Sequence, residues 1–274
     1  MTSLKQVPMS ESIHWLFHPS ASRLPSRPLP VMFARTKEHT MTDITQADLD
    51  KLAEWDTPTI CNGLEALDQR YRLTGYTTKA FTCMRPEQKP MVGYARTATI
   101  RASNAPAMGP EKAMELRQSY YEYVDTGGPK PSVTVIQDID TGPARGAFWG
   151  EVNTNIHKGL GSLGVITNGS IRDLADSAAG FQALAGQVGP SHAWVHVTGF
   201  SEPVEVHGML VRHGDIVHAD VHGAVIVAEE HVKALPAAIE KIARKEAHMI
   251  GAAQQPGFDF ETLKVAMAAA AAQD

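Results

Sequence analysis

The sequence has little of what marks secreted, membrane-spanning or nucleic-acid-binding proteins. Its only two cysteines, Cys61 and Cys83, lie too far apart for a CxxC metal or redox motif. No apolar run approaches the roughly 20 residues that a transmembrane helix needs. No lysine- and arginine-rich block occurs and the formal net charge is -5, so we expect neither a nucleic-acid nor a membrane partner. The first residues lack the basic and apolar regions of a secretory signal, which favours a cytoplasmic protein.

Residues 1–40 differ in composition from the rest of the chain. They are rich in proline, serine and arginine and show no hydrophobic period, which predicts a disordered N-terminal extension. A helical pattern with Thr45 as a candidate cap follows Met41. We therefore predict one α/β domain over residues 41–252 and a helical tail over residues 253–274.

The middle of the chain alternates between strand and helix patterns. Strands are predicted over 91–102, 132–140 and 163–168, and helices over 111–124, 146–161 and 173–180. This order is typical of parallel βαβ units. Residues 193–228 then alternate in hydrophobicity between glycines and prolines, which predicts several strands joined by tight turns.

Two motifs that could bind ligands are weak here. The segment GLGSLG (159–164) matches the dinucleotide-binding glycine pattern, but it closes a predicted helix instead of opening one, so we interpret it as a helix C-cap. Twelve histidines leave a histidine metal site open, although surface or pocket-lining side chains are the simpler interpretation. The candidates for that metal site are His192, His196, His213, His218 and His222.

The stretch LGVITNGSIRDLADSAAG (163–180) is the most informative part of the sequence. An apolar strand runs into Asn168 and Gly169, interpreted as a turn, and Arg172 and Asp173 follow. The simplest interpretation is a helix N-terminus, where an aspartate suits the helix dipole. Ligands, however, gather at the carboxyl ends of parallel strands, and Glu151 follows the neighbouring strand segment. Asp173 could then hold a divalent cation, Glu151 could orient a water on it, and Arg172 could bind a carboxylate or enolate.

Two other groups near predicted strand ends have simpler interpretations. Asp138 and Asp140 could bind a hard cation or cap a turn, and we favour the turn. Lys158 lies on the helix beside the predicted site, but an enolate steadied by a metal ion and an arginine requires no Schiff-base lysine.

The segments AFWGEVNTNIHKGLGSLGVITNGSIRDLADSAAGFQALA and VRHGDIVHADVHGAVIVAEE resemble the family of the regulator of ribonuclease activity A (RraA) and the 4-hydroxy-4-methyl-2-oxoglutarate aldolases. The resemblance covers roughly residues 45–250. It implies an RraA-like α/β/α sandwich with a β-rich, barrel-like portion and a C-terminal helix. It also implies a homotrimer or hexamer with sites at subunit interfaces.

The resemblance also implies roles for individual residues. Asp173 matches the metal ligand, and Arg172 matches the arginine that binds the pyruvyl group. Glu151 matches the acid that holds a metal-bound water. Glu246 is the best match for a glutamate that a neighbouring subunit contributes. The loop whose backbone amides hold the substrate carboxylate corresponds to Gly150, Glu151, Val152 and Asn153.

The activity implied is that of a Mg²⁺- or Mn²⁺-dependent lyase. It would cleave a C–C bond of a small 2-oxo acid through a pyruvate enolate, by retro-aldol cleavage or oxaloacetate decarboxylation. The alternative is a non-catalytic trimer that regulates a protein partner such as a ribonuclease. Two departures from the aldolases bear on the substrate: Asn168 replaces an aspartate, and residues 103–131, which include Tyr120, Tyr121 and Tyr123, form a longer segment.

Overall fold

The structure, a computed structural model, describes residues 44–273. The predicted extension over residues 1–40 lies outside the described residues. The strands are β1 (Thr82–Cys83), β2 (Met91–Arg101), β3 (Ser132–Asp138), β4 (Ala147–Trp149), β5 (Ser162–Ile171), β6 (Gln182–Val188), β7 (His196–Phe200), β8 (Val204–Val206), β9 (Met209–Val211), β10 (Ile216–Asp220) and β11 (Gly223–Val227). The helices are α1 (Gln46–Leu52), α2 (Thr57–Leu67), α3 (Pro110–Thr126), α4 (Glu151–Gly159), α5 (Glu229–Val232), α6 (Leu235–Ala253) and α7 (Phe260–Ala271), and a 3₁₀ helix spans Gln69–Arg72.

The centre of the main sheet is parallel, as the alternation of strands and helices predicts. β3 pairs in parallel with β2 and β5, and β5 pairs in parallel with β6. Antiparallel strands extend this core: β10 and β11 beyond β2, and β1 beyond β6. The sheet curls into a half-barrel, which confirms the predicted α/β fold with a barrel-like portion and C-terminal helices.

Both faces of the parallel core are covered. On one face Val135 and Ile166 pack against the β8–β9 hairpin. On the other face Ile136 and Val165 pack with Tyr120 of α3. Strands buried on both sides need apolar residues at successive positions, which explains why β3 and β5 read as continuous apolar runs.

Local caps define the first helices. Thr45 caps α1 in a reciprocal capping box with Asp48, as predicted. Asp56 caps α2, and Pro58 lies in the first turn of that helix. Within residues 44–273, none of the helices is both long and apolar enough to cross a membrane.

The predicted helix over residues 173–180 is wrong. Residues 172–180 form a turn instead, because Asp173 has a φ of 53°, which a right-handed helix cannot accommodate. The Asp173 carbonyl accepts hydrogen bonds from the Asp176 and Ser177 amides at 3.1 and 2.9 Å and from the Ser177 hydroxyl at 2.8 Å. The Ser177 hydroxyl thus adds a side-chain bond that closes this turn.

Two further expectations near this turn are corrected. Ala147–Trp149, predicted as helix, form β4: all three residues are buried, and Ala147 and Trp149 pair with Ser170 and Ile171 at the end of β5. Asn168 and Gly169, predicted as a turn, lie within β5, where the register shifts between Thr167 and Ser170. The Asn168 side chain accepts from the Asp138 amide and donates to the Asp138 carbonyl, each at 2.8 Å, which joins the ends of β3 and β5.

Candidate active site at the carboxyl end of β5

Arg172 and Asp173 lie together directly after β5. The Arg172 amide donates to the carbonyl of Trp149 at 2.9 Å, which ties the ends of β4 and β5 together. A guanidinium nitrogen of Arg172 lies 3.7 Å from Oδ1 of Asp173. The two side chains are 37% and 31% exposed, so both are open to a ligand.

The first turn of α4 meets Asp173 from the other side. The Glu151 amide donates to Oδ2 of Asp173 at 3.3 Å. A Cβ atom at Gly150 would lie 2.5 Å from the same oxygen and 3.2 Å from Cγ of Arg172. Gly150 has an extended backbone, so the absence of a side chain, rather than a special φ, is what the site requires.

The α4 N-terminus also offers the amides that the resemblance implies. The first amides of a helix have no partner within the helix and carry the positive end of its dipole. Glu151, Val152 and Asn153 are the first three residues of α4, and Val152 is 68% exposed. Gly150, Glu151, Arg172 and Asp173 therefore come together in one chain, as predicted from the sequence.

The side chain of Asn153 has a structural role. Its Nδ2 donates to the carbonyl of Phe148 at 2.5 Å, and its Oδ1 accepts from the Tyr121 hydroxyl at 2.6 Å. Thr154 holds the next position: its hydroxyl donates to the Glu151 carbonyl and accepts from the Ala178 amide, both at 3.0 Å. These bonds fix the first turn of α4 against α3 and against the turn that follows Asp173.

His157 supports the same helix from within the core. Its Nδ1 lies 2.7 Å from the Asn153 carbonyl and its Nε2 lies 2.7 Å from the Tyr120 hydroxyl. A carbonyl only accepts, so Nδ1 carries the hydrogen and Nε2 accepts from the tyrosine. Complete burial lowers the pKa of His157 to about 4, which keeps the ring neutral. The four-residue spacing of Asn153 and His157, which places both on one face of a helix, was the one sequence signal for this contact. No sequence signal indicated that Tyr120 would bond His157.

Of the two aspartates at the end of β3, only Asp138 has the predicted turn role, since it accepts from the Asp140 amide at 3.0 Å. Asp140 instead accepts from the amides of Ala102 and Ser103, both at 2.7 Å, and so holds the loop after β2. Burial raises the pKa of Asp138 above its ordinary value. The C-cap interpretation of GLGSLG also holds, because α4 ends at Gly159 and β5 starts at Ser162.

The histidine candidates lie in separate surroundings. His218 is buried and bonds Thr57 at 3.0 Å, His222 lies 3.1 Å from Asp220, and His213 bonds Tyr123 at 2.8 Å. His192 and His196 each lie near a backbone carbonyl of the same loop. Over residues 44–273, no three histidine, cysteine or acidic side chains come close enough to share a metal ion.

Two other predicted positions lie away from Asp173. Glu246 is exposed on α6, which packs mainly against α2 and α7, so its contribution to a neighbouring subunit's site stays a prediction. Lys158, near the end of α4, donates to the carbonyl of Ala179.

A polar pocket of about 370 Å³ also lies at the carboxyl edge of the sheet, on the face that carries the β8–β9 hairpin. Its wall includes Gln137, Gln187, Glu205 and His207, and it includes neither Arg172 nor Asp173. The pocket is therefore separate from the candidate active site.

Comparison with known proteins identifies the family. The family model described as RraA-like (Aldolase/RraA) matches residues 57–226, a range that contains every site residue discussed above except Glu246. The chain belongs to the RraA-like family. The resemblance seen in the sequence is thereby confirmed, and the family unites aldolases with RraA proteins.

Solved structures with this RraA-like fold share low sequence identity with the chain. An uncharacterized protein from Pseudomonas syringae pv. tomato str. DC3000 is 20% identical, with 85% of this chain and 99% of that chain covered and a TM-score of 0.62. RraAS2 from Streptomyces coelicolor, named as an unusual member of the RNase ES inhibitor RraA family, is 20% identical, with coverage of 77% and 98% and a TM-score of 0.57. These likenesses show the fold alone. The search of curated proteins gave no match.

Proposed function

We propose that this RraA-like protein is a divalent-metal-dependent lyase that cleaves a C–C bond of a 2-oxo acid. The reaction would be retro-aldol cleavage of a compound such as 4-hydroxy-4-methyl-2-oxoglutarate, decarboxylation of oxaloacetate, or both. The observation that carries this proposal is the contact of Asp173 with the first turn of α4, at 3.3 Å from the Glu151 amide, with Arg172 beside it. A carboxylate, a guanidinium and the first turn of α4 thus converge on one open position.

The residues present fit a cation held through one protein carboxylate. Oδ2 of Asp173 lies over Gly150, where a side chain would fill the space, and the carboxylate is 31% exposed. Mg²⁺ keeps several waters and needs only one or two carboxylates, so a cage of acidic side chains is not required. When bound at Asp173, a divalent cation would supply positive charge beside the keto oxygen of the substrate.

Side chains and backbone amides of the protein would bind the substrate, stabilise its charge and transfer its proton. The first-turn amides of α4 would bind the substrate carboxylate, which also favours the positive end of the helix dipole. Arg172 would steady the negative charge that collects on the keto oxygen as the bond to C3 breaks. Glu151, at the rim of the site, would take the hydroxyl proton of the substrate through water, and a proton would return to C3 to complete pyruvate.

The test is pyruvate release from 4-hydroxy-4-methyl-2-oxoglutarate and from oxaloacetate with Mg²⁺ or Mn²⁺, before and after EDTA. We expect Asp173→Asn to lower turnover on the order of 100-fold and to weaken Mn²⁺ binding. Asp176→Asn is the matched control, because it removes the same charge from an exposed position in the same turn. Equal activity of chelated and metal-loaded protein, or an unchanged Asp173→Asn variant, would contradict the proposal.

The alternative function is a non-catalytic oligomer that binds and regulates a protein partner such as a ribonuclease. The likeness to RraAS2, named for an RNase ES inhibitor family, supports this alternative. The convergence of Arg172 and Asp173 at an open position favours catalysis over it. Recovery of a ribonuclease with the purified protein, together with no lyase activity on either substrate, would favour the regulator.

A further inference from the structure

Arg117 is a half-buried cation close to the candidate active site. It lies on α3, and its guanidinium carbon lies 5.7 Å from the ring centre of Phe148, two residues before Gly150. None of the ion pairs between described side chains includes Arg117. Its helix offers no neutralising partner either, because the positions three and four residues away are Ala113, Met114, Tyr120 and Tyr121.

The topology brings Arg117 to the edge of the sheet where the site lies. α3 starts after the carboxyl end of β2 and runs back along the sheet, so its earlier residues lie nearer that edge. Tyr121 already contacts Asn153 in the first turn of α4, at 2.6 Å. Arg117 is one helical turn closer to the edge, and long helical side chains lean further toward the helix N-terminus.

Two arginines thus flank the segment that leads into α4. Arg172 lies beside Gly150, where a Cβ would be 3.2 Å from its Cγ, and Arg117 lies over Phe148, two residues before Gly150. A 2-oxo acid with its carboxylate on the α4 amides and its keto oxygen at Arg172 would have its far end free to reach α3. A guanidinium resting on an aromatic ring is partly shielded from water, and its planar fork matches a carboxylate.

We propose that Arg117 forms an anion subsite for a second acidic group of the substrate, remote from the 2-oxo carboxylate. This inference rests on the proposed function, since it takes the α4 amides as the place of the first carboxylate. Arg117 would thus determine specificity for 2-oxo diacids over 2-oxo monoacids. Tyr121, fixed to Asn153, would keep α3 at a constant distance from the first carboxylate.

Binding measurements test the subsite without turnover. Calorimetry in Mg²⁺ would compare 2-oxoglutarate with 2-oxopentanoate, which has nearly the same shape but lacks the second carboxylate. We expect wild-type protein to prefer the diacid, and Arg117→Gln to weaken diacid binding about 10- to 100-fold with little effect on the monoacid. Arg117→Lys should keep part of the preference. Lys112→Gln, which removes the same charge from an exposed position on α3, should keep all of it.

The outcomes separate this inference from the proposed function. A wild-type protein without diacid preference, or an Arg117→Gln variant that keeps the preference, would overturn the subsite. Equal weakening of both acids by Arg117→Gln would also overturn it, because that result indicates a general loss of structure. If wild-type protein shows no lyase activity, the proposed function is overturned. The preference for the diacid in the binding measurements would still test whether Arg117 forms the anion subsite.

Discussion

At the scale of single residues, the site depends on the absence of a side chain at Gly150. Asp173 adopts a left-handed backbone conformation, which aspartate tolerates better than most residues, and this turns its carboxylate back over Gly150. The Asp176 and Ser177 amides and the Ser177 hydroxyl hold that conformation through the Asp173 carbonyl. Strain held in this way at an open carboxylate is typical of functional positions.

Substitution of Gly150 should therefore damage the site more than the fold. In Gly150→Ala, the new methyl group would displace Asp173 and Arg172, and we expect turnover to fall about 100-fold, as small misplacements of reacting groups do. The extended backbone at position 150 accepts alanine, so the melting temperature should change little. Gly159→Ala, where a Cβ would meet nothing within 4 Å, is the control and should keep its activity. Full activity in Gly150→Ala would show that Asp173 need not lie against α4.

At the scale of elements, the sequence signals were reliable where burial decides the structure. Patterns of β-branched and small residues predicted β2 and β3, an amphipathic pattern predicted α3, and a cap predicted the start of α1. Each of these signals lies within a few residues of the chain. The turn after β5 could not be predicted in this way. Its residues Leu174 to Ala179 suit a helix, and the φ of Asp173 depends on contacts with a helix that begins 22 residues earlier.

The candidate site, like the fold, could be predicted only where neighbouring residues in the sequence carry the signal. Arg172 and Asp173 are adjacent in the sequence, so a family motif could identify them. Arg117 and Tyr121 belong to α3, and their approach to α4 is set by the packing of two helices on one sheet. A single sequence carries no periodic signal for such a contact.

The α3–α4 contact should make stability depend on pH through His157. The folded protein holds this ring neutral with a pKa of about 4, below the ordinary value of 6.5, so protons bind the unfolded chain preferentially. The contribution of His157 is thus complete above about pH 6.5 and is lost as the pH falls toward about 4. From the pKa difference we expect a loss of about 2 kcal/mol in unfolding free energy between about pH 7.5 and about pH 5.

Urea unfolding of wild type and His157→Gln at these two pH values measures that contribution. The variant should be less stable at the higher pH, because it loses the bonds to Asn153 and Tyr120, but it should lose about 2 kcal/mol less on acidification. His218, which is also buried with a lowered pKa, is present in both proteins and cancels in the comparison. An identical pH dependence in both proteins would show that folding does not lower the pKa of His157.

At the scale of the whole molecule, the C-terminal helices bear on the predicted oligomer. α6 and α7 pack on each other and leave large apolar side chains in solvent, with Phe260 68% and Val265 71% exposed and Ile250 54% exposed. Large apolar side chains in solvent are candidates for a surface that another protein covers. From the sequence we expect copies of the chain to associate, with Glu246 of α6 entering a neighbouring site.

That expectation predicts complementation between two impaired variants. Asp173→Asn and Glu246→Gln should each leave little lyase activity, since each removes a group from every site. If each site takes Asp173 from one subunit and Glu246 from the next, randomly mixed oligomers regain both groups in about a quarter of their sites. Mixing the variants under mild denaturation, followed by refolding, should therefore restore about a quarter of wild-type activity. Glu240→Gln, an exposed glutamate on the same helix, is the control and should stay active alone. Oligomers that mix, as seen by exchange of a tagged chain, but regain no activity would place Glu246 outside the site.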